Sequence, residues 1–296
     1  MPPAATLTAT EALLDAPLLE RLRRLAAWLL RRAQRGEFRG GGGGATPEFE
    51  TYRPYTAGDD PRYLDWSVYA RSEKLLVKLY APESLGPVFV LLDTSASMRT
   101  GRGEKARSGA RCAAAFAFLS LCVRRPVYLG AFAETLLDAA GPYHGPESLP
   151  ECLRFFSRAP TGQGTRLGAA AADFLARTRN RGRLVVISDF FQDEPLPPQL
   201  GALRERAGLL HLARILDERD LEPKLRGTCL VEDPESERRI RLVAGSELQE
   251  QLRALVRAHV DDTARACREL GVSHGVIRTA ERFDDALVRH LLELAR

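Results

Sequence analysis

The chain has 296 residues, 45% hydrophobic and 28% charged, with 43 Lys and Arg against 39 Asp and Glu. That mix excludes an intrinsically disordered chain and a collagen-like one, and the length suffices to bury a full core without disulfide or metal staples, either as two ordinary domains or as one large α/β domain with additions. The net charge of +4 sits mostly in residues 1–44, where seven Arg meet four acids, so the remainder is electrically balanced and lacks the concentrated basic face of a dedicated nucleic-acid binder.

The opening MPPAATLTAT has neither the basic nor the apolar region of a signal peptide. In residues 11–35, Leu18, Leu22, Leu25, Leu29 and Leu30 recur at helical spacing, with arginines on the other face. This amphipathic helix is expected to dock on the protein's own core. The alternative, a basic helix on a membrane surface or partner, is weakened by the single interfacial anchor, Trp28. Gly40–Gly44 lacks the GK[ST] ending of a phosphate-binding loop and reads as a linker. Residues 1–44 thus form a basic helix and a glycine linker.

Residues 45–86 form an aromatic-rich β module. Glu48–Tyr55 and Leu75–Tyr80 read as strands, with AGDDPR and DWSVYAR between them. Its charges are Arg53, Asp59, Asp60, Arg62, Asp65 and Arg71. Arg53 and Arg71 are expected to pair with Asp59, Asp60 or Asp65, with Tyr55 and Trp66 buried beside them. The other reading of this segment is a docking surface.

From residue 87 to 296 strands and helices alternate. Val88–Asp93 is a continuous apolar strand of the kind buried on both faces. A helix over Glu104–Val123 follows, then strands at Val127–Phe132 and Thr135–Asp138 and a helix at Glu147–Phe156. A TGQGT turn leads into a helix ending at Arg177. Leu184–Asp189 is another apolar strand, followed by a helix at Pro198–Ala207 and a strand at Leu209–Leu216. Residues 222–244 break the rhythm as a β-hairpin insertion. A helix over Ser246–Leu270, a strand over Ser273–Arg278 and a helix over Arg282–Ala295 complete the pattern. The fold class is therefore α/β, Rossmann-like, with a mostly parallel sheet and helices on both faces. The longest apolar stretch, Cys112–Val123, is too short to span a bilayer. The five cysteines show no metal-ligand spacing and read as reduced thiols of a cytoplasmic protein. The five histidines are dispersed, and His259 and His290, on helices, are expected in ordinary packing or surface roles.

The most specific chemistry is Asp93-Thr-Ser95-Ala-Ser97, where an apolar strand ends and a helix is about to begin. Ligands bind at that edge of open α/β sheets. One carboxylate and two hydroxyls at alternate positions are oxygen donors suited to Mg²⁺ or Mn²⁺. Thr165 and Asp189 offer a further hydroxyl and carboxylate at two other strand-to-helix edges. Singly, each of these residues also suits a helix N-cap.

The pattern Asp93, Ser95, Ser97, Thr165, Asp189 resembles the von Willebrand factor A-type domain and its metal-ion-dependent adhesion site. There the hydroxyls contact the metal, the aspartates bind it directly or through water, and a partner's acidic residue fills the open position. The family often has Gly after the second Asp; Phe190 and Phe191 stand here, and are expected to narrow or cover the site. The string PEFETYRPYTAGDDPRYLDWSVYAR resembles the signature of the bacterial family called domain of unknown function fifty-eight. Glu48, Phe49, Arg53, Tyr55, Gly58, Asp59, Asp60, Arg62, Asp65, Trp66, Ala70 and Arg71 carry that resemblance. It implies a von Willebrand A-like partner of MoxR-type AAA+ ATPases, cytoplasmic or peripheral to a membrane, acting in protein assembly or remodelling. A binding role without enzymatic turnover is expected. The alternatives are a Mg²⁺-dependent phosphohydrolase using Asp93, disfavoured because Ser95 stands where that chemistry needs a second acid, and a metal-independent interaction protein with a vestigial site.

Overall fold

The computed structural model describes residues 13–34, 49–55, 64–80, 86–101, 103–177, 181–223, 225, 227–236 and 238–294. The chain divides into two compact units, Met1–Leu29 with Gly86–Arg296, and Leu30–Leu85. Gly40–Gly44 and the signature residues Glu48, Gly58, Asp59, Asp60 and Arg62, together with the Arg53 side chain, lie outside the described residues.

Helix α1 (Ala16–Gln34) begins in the larger unit. The Asp15 carboxylate accepts a hydrogen bond from the Leu18 N–H at 2.9 Å, satisfying one of the helix's orphan donors. Leu18, Leu22, Leu25 and Ala26 are buried in the core with Leu13 and Leu14 ahead of them. Leu18, Leu22 and Leu25 of the leucine stripe therefore dock on the protein itself, Leu29 packs partly against the core, and Leu30 is exposed.

The smaller unit holds β1 (Phe49–Pro54), α2 (Trp66–Ser72) and β2 (Leu76–Tyr80), with β1 and β2 antiparallel. Asp65 and Arg71 both make contacts local to α2. Asp65 is the N-cap of α2: one carboxylate oxygen accepts from the Ser67 and Val68 N–H groups at 2.9 and 3.2 Å, and the other from the Tyr52 hydroxyl at 2.7 Å. Arg71 donates to the Ser67 carbonyl one turn back, at 3.0 Å, instead of to a carboxylate. Trp66 is 59% exposed, so it is not buried beside an ion pair. Asp65 caps α2 because it directly precedes the helix, where its carboxylate reaches two orphan N–H groups locally.

The larger unit continues with β3 (Val88–Asp93), α3 (Glu104–Cys122), β4 (Val127–Phe132), β5 (Leu136–Tyr143), α4 (Leu149–Ser157), α5 (Leu167–Ala176), β6 (Gly182–Ser188), α6 (Leu196–Ala207) and β7 (Gly208–Leu216). After these come α7 (Glu218–Leu221), the hairpin β8 (Gly227–Glu232) and β9 (Arg239–Ala244), α8 (Ser246–Glu269), β10 (Ser273–Arg278) and α9 (Phe283–Leu294). Six strands form one sheet in the order β10-β7-β6-β3-β4-β5. All neighbours are parallel except β5, which pairs antiparallel with β4 and runs to Tyr143, beyond the expected Asp138. The hairpin is a separate two-stranded sheet.

All six residues of β3 are buried, and they alternate between two cores. Val88, Val90 and Leu92 join one face with residues of α1, α3, α4 and α9, including Leu22, Phe116, Cys152 and Leu287. Phe89 and Leu91 join the other with residues of α5 and α6 and the end of α8, including Phe174, Leu200 and Cys267. Period-2 alternation with both faces covered explains why the strand reads as uninterrupted apolar sequence. Each such side chain contributes about 1.5–3 kcal/mol on burial. His211 and His290 meet inside the first core, with ring nitrogens 2.6 Å apart, so one donates and the other accepts. Gly275 lies against them; a Cβ there would collide with the His290 ring.

The chain leaves β3 for β4 on one side and returns to β6 on the other. Between β3 and β6 the strand order therefore reverses, opening a crevice at their carboxyl ends. No described helix is long and apolar enough to cross a membrane.

Candidate metal centre

The crevice gathers the residues singled out in the sequence. Asp93 is the last residue of β3, and Asp189 directly follows β6, the adjacent parallel strand. The loop after β3 carries Ser95 and enters a short 3₁₀ turn at Ser97. Thr165 lies on the loop before α5. Two backbone hydrogen bonds tie these loops together: Ala96 N–H to the Gln163 carbonyl at 2.9 Å, and Gly162 N–H to the Thr94 carbonyl at 3.3 Å. All five predicted ligands are buried.

The Ser95 and Ser97 hydroxyls lie 3.0 Å apart, and Ser97 donates to Asp189 Oδ1 at 3.5 Å. Asp93 accepts from the Ser95 N–H at 2.9 Å and from the Ser188 hydroxyl at 2.5 Å. Burial pushes the Asp93 carboxyl up to about 7; the charge of Asp189 adds to the rise, and the Ser188 and Ser95 hydrogen bonds only partly offset it. Two buried carboxylates beside three hydroxyls are an all-oxygen donor set. Among the described residues no group of three or more His, Cys, Asp and Glu side chains is arranged to hold a metal, so a metal here depends on the hydroxyls. The set fits a hard divalent cation that keeps part of its water, Mg²⁺ or Mn²⁺. Asp93, Ser95, Ser97, Thr165 and Asp189 are the residues that would hold it.

Three further residues belong to the site and escaped the sequence reading. Lys105, in the first turn of α3, is buried and donates to Asp189 Oδ2 at 2.8 Å. It also lies 3.1 and 3.2 Å from the two carboxylate oxygens of Asp220. Burial alone would lower this ammonium, but Asp189 and Asp220 outweigh it and hold it above its ordinary value. A lysine in a first helical turn opposes the helix dipole, a local signal that it has an acidic partner. Ser188 is the second: a hydroxyl in the otherwise apolar LVVISD strand needs a partner, and finds Asp93. The third is Glu235, in the turn of the β8–β9 hairpin, which accepts a hydrogen bond from the Thr165 hydroxyl at 2.9 Å. Burial raises the Glu235 carboxyl; hydrogen bonds from Thr165 and Ser97 offset part of the rise, while Asp189 and Asp233 add to it.

The two phenylalanines after Asp189 do different things. Phe190 adopts a left-handed backbone (φ 57°) and turns its ring into the second core. Its N–H donates to the Ser188 hydroxyl at 2.9 Å. It does not cover the site, contrary to expectation. Phe191 stacks on His259 with ring centroids 5.2 Å apart and lies 5.8 Å from the Lys105 ammonium. Behind both rings sits the fully buried Arg214, which donates to the Thr263 hydroxyl at 2.6 Å.

The chain is similar to several mycobacterial proteins described as uncharacterized. It is 29% identical over 252 residues to the uncharacterized protein Rv1480 of Mycobacterium tuberculosis, covering 82% of this chain and 78% of that one. It is 30% identical over 156 residues to the uncharacterized protein MAV169 of Mycobacterium avium, covering 52% of this chain and 91% of that one. Among solved structures it is similar to the conserved hypothetical protein BatB from Bacteroides thetaiotaomicron, at 12% identity and a TM-score of 0.43 over 71% of this chain and 98% of that one. An aerotolerance-related membrane protein from Bacteroides fragilis shows the same coverage and TM-score at 14% identity. Residues 51–265, from the aromatic module through the candidate metal centre to the last turns of α8, match a single family pattern, and the chain belongs to the family described as Protein of unknown function DUF58.

Proposed function

We propose that this protein is a metal-dependent protein-binding module. It would hold Mg²⁺ or Mn²⁺ through Asp93, Ser95, Ser97, Thr165 and Asp189, and engage an acidic residue of a protein partner through the ion's open position. The observation that carries this reading is the convergence of five oxygen-bearing residues, from three separate loops, at the point where the strand order reverses. The sequence signature around Arg53–Arg71 and the DxSxS pattern support a MoxR-type AAA+ ATPase as the partner. Protein assembly or remodelling, in the cytoplasm or at a membrane surface, would then be the joint activity, with any ATP turnover belonging to the ATPase. Affinity capture from the native cell tests it: a MoxR-type ATPase is retained by the wild-type chain in Mg²⁺ and lost with chelator or in Asp93→Ala. Retention unaffected by both treatments contradicts the proposal.

One contact favours a second reading. The Lys105 ammonium, 2.8 Å from Asp189, already gives that carboxylate a cation. A site in which Lys105 replaces the metal would bind its partner independently of divalent ions. Capture that survives chelation but fails in a Lys105 variant would support this reading over the first.

A further inference from the structure

We infer that the β8–β9 hairpin is a latch on the candidate metal centre, with Glu235 occupying the place where a partner's acid would meet the ion. The inference deepens the metal-dependent reading proposed above and rests on it.

Four observations carry it. Glu235 and Thr165 are separated by 70 residues in sequence, yet the hydroxyl donates directly to the carboxylate at 2.9 Å. Thr165 is one of the five predicted ligands, so the carboxylate stands at the donor set itself, where Ser97 and Asp189 also act on it. The turn is built to present this side chain: Asp233 accepts from the Glu235 N–H at 3.0 Å and from the Ser236 hydroxyl, and the Asp233 N–H donates to the Arg238 carbonyl at 2.9 Å. Finally, the rest of the hairpin is lightly held. Among the described residues of 227–243, all but Cys229, Glu235 and Leu242 are exposed. At its base, Gln249 donates to the Leu225 carbonyl.

A carboxylate is the same class of ligand that a partner would bring to a hard divalent cation. Glu235 and a partner's acid cannot both take one position. The free chain is therefore closed by its own acid, and engagement of a partner requires the hairpin tip to leave. An exposed hairpin fastened at its tip suits that movement, because releasing Glu235 from Thr165 and Ser97 uncovers the site without disturbing the six-stranded sheet.

The test uses the full chain, Mn²⁺ and acetate as the probe for a free carboxylate, with Glu235→Ala and Glu235→Gln beside the wild type. Hydrogen exchange is followed over residues 227–244, and Mn²⁺ affinity is measured with and without acetate. In the wild type, Mn²⁺ slows exchange in the hairpin at least tenfold, and acetate leaves Mn²⁺ affinity unchanged. In Glu235→Ala the hairpin exchanges faster without metal, Mn²⁺ no longer protects it, and acetate tightens Mn²⁺ binding at least threefold. Glu235→Gln keeps an acceptor for Thr165 and preserves the metal-free protection, but loses the additional protection from Mn²⁺. Hairpin exchange and acetate response identical in wild type and Glu235→Ala overturn the latch. If the wild type binds no Mn²⁺, the metal-dependent reading fails by itself. The metal-free exchange then decides the latch: faster exchange in Glu235→Ala sustains the closing contact, and equal exchange overturns it.

Discussion

Replacing Lys105 with Met tests how charge is balanced in the crevice. The ammonium is buried between Asp189, itself fully buried, and Asp220, whose side chain is 19% exposed. Met keeps most of the packing volume and removes the charge. Asp220 retains water and accepts from the Asp217 N–H at 3.0 Å, so the larger loss falls on Asp189. Removing one partner of a buried pair costs about 3–5 kcal/mol, because the remaining charge is left uncompensated. For a chain of this size that corresponds to a fall in Tm of roughly 6–20 °C. A divalent ion would restore the missing charge. Without the competing ammonium, Mn²⁺ is expected to bind about tenfold tighter, a gain of about 1.4 kcal/mol. Thermal unfolding in chelator and in saturating Mn²⁺ reads both effects: a large deficit in chelator that shrinks in metal. A variant as stable as wild type in chelator, or equally stabilised by Mn²⁺, would refute the reasoning.

Three other positions give sharp expectations. His290 is held at about 4 and His211 well below its ordinary value, in both cases first by burial, with a further lowering from His274 for His290 and from His290, Arg183 and His274 for His211. Both folded-state values are depressed, so the unfolded chain binds protons first. Stability is full above pH 6.5 and falls as the pH drops from 6.5 towards 4, by about 3 kcal/mol from His290 alone; urea unfolding of His290→Leu should show a shallower slope, and an identical slope contradicts the assignment. Gly275→Ala drives a methyl into the His290 ring and should cost about 1–3 kcal/mol by the same assay; a change below about 0.5 kcal/mol would show that the ring moves freely. Phe190→Gly relieves a left-handed backbone worth about 1–2 kcal/mol but forfeits a buried ring worth about 3–5, so the net effect is destabilisation by about 2 kcal/mol, and a more stable variant would show that strain dominates there.

The sheet was legible because strands covered on both faces must be continuously apolar: VFVLLD and LVVISD announce β3 and β6 without reference to anything distant. The five oxygen donors were legible because each sits at the end of such a strand or on a loop entering a helix. What escaped depended on tertiary approach. Glu235 lies in PESE, an ordinary turn sequence, and nothing local says that this turn ends on Thr165. Lys105 carried one signal, a cation in a first helical turn, but not the identity of its partners. In the smaller unit Asp65 serves as a helix cap, and Trp66, expected to be buried beside an ion pair, is exposed. Phe190, expected at the mouth of the site, is drawn into the second core because its left-handed backbone points the ring inward.

The central claim is that five residues on three loops hold one divalent ion. Its most direct measurement is a Mn²⁺ titration followed by the electron paramagnetic resonance of the free ion. The account predicts one bound Mn²⁺ per wild-type chain, none in Asp93→Ala, and weakened binding in Thr165→Val, with the folded state of each variant checked by circular dichroism. No bound Mn²⁺ in the wild type, or binding unchanged in Asp93→Ala, would contradict it.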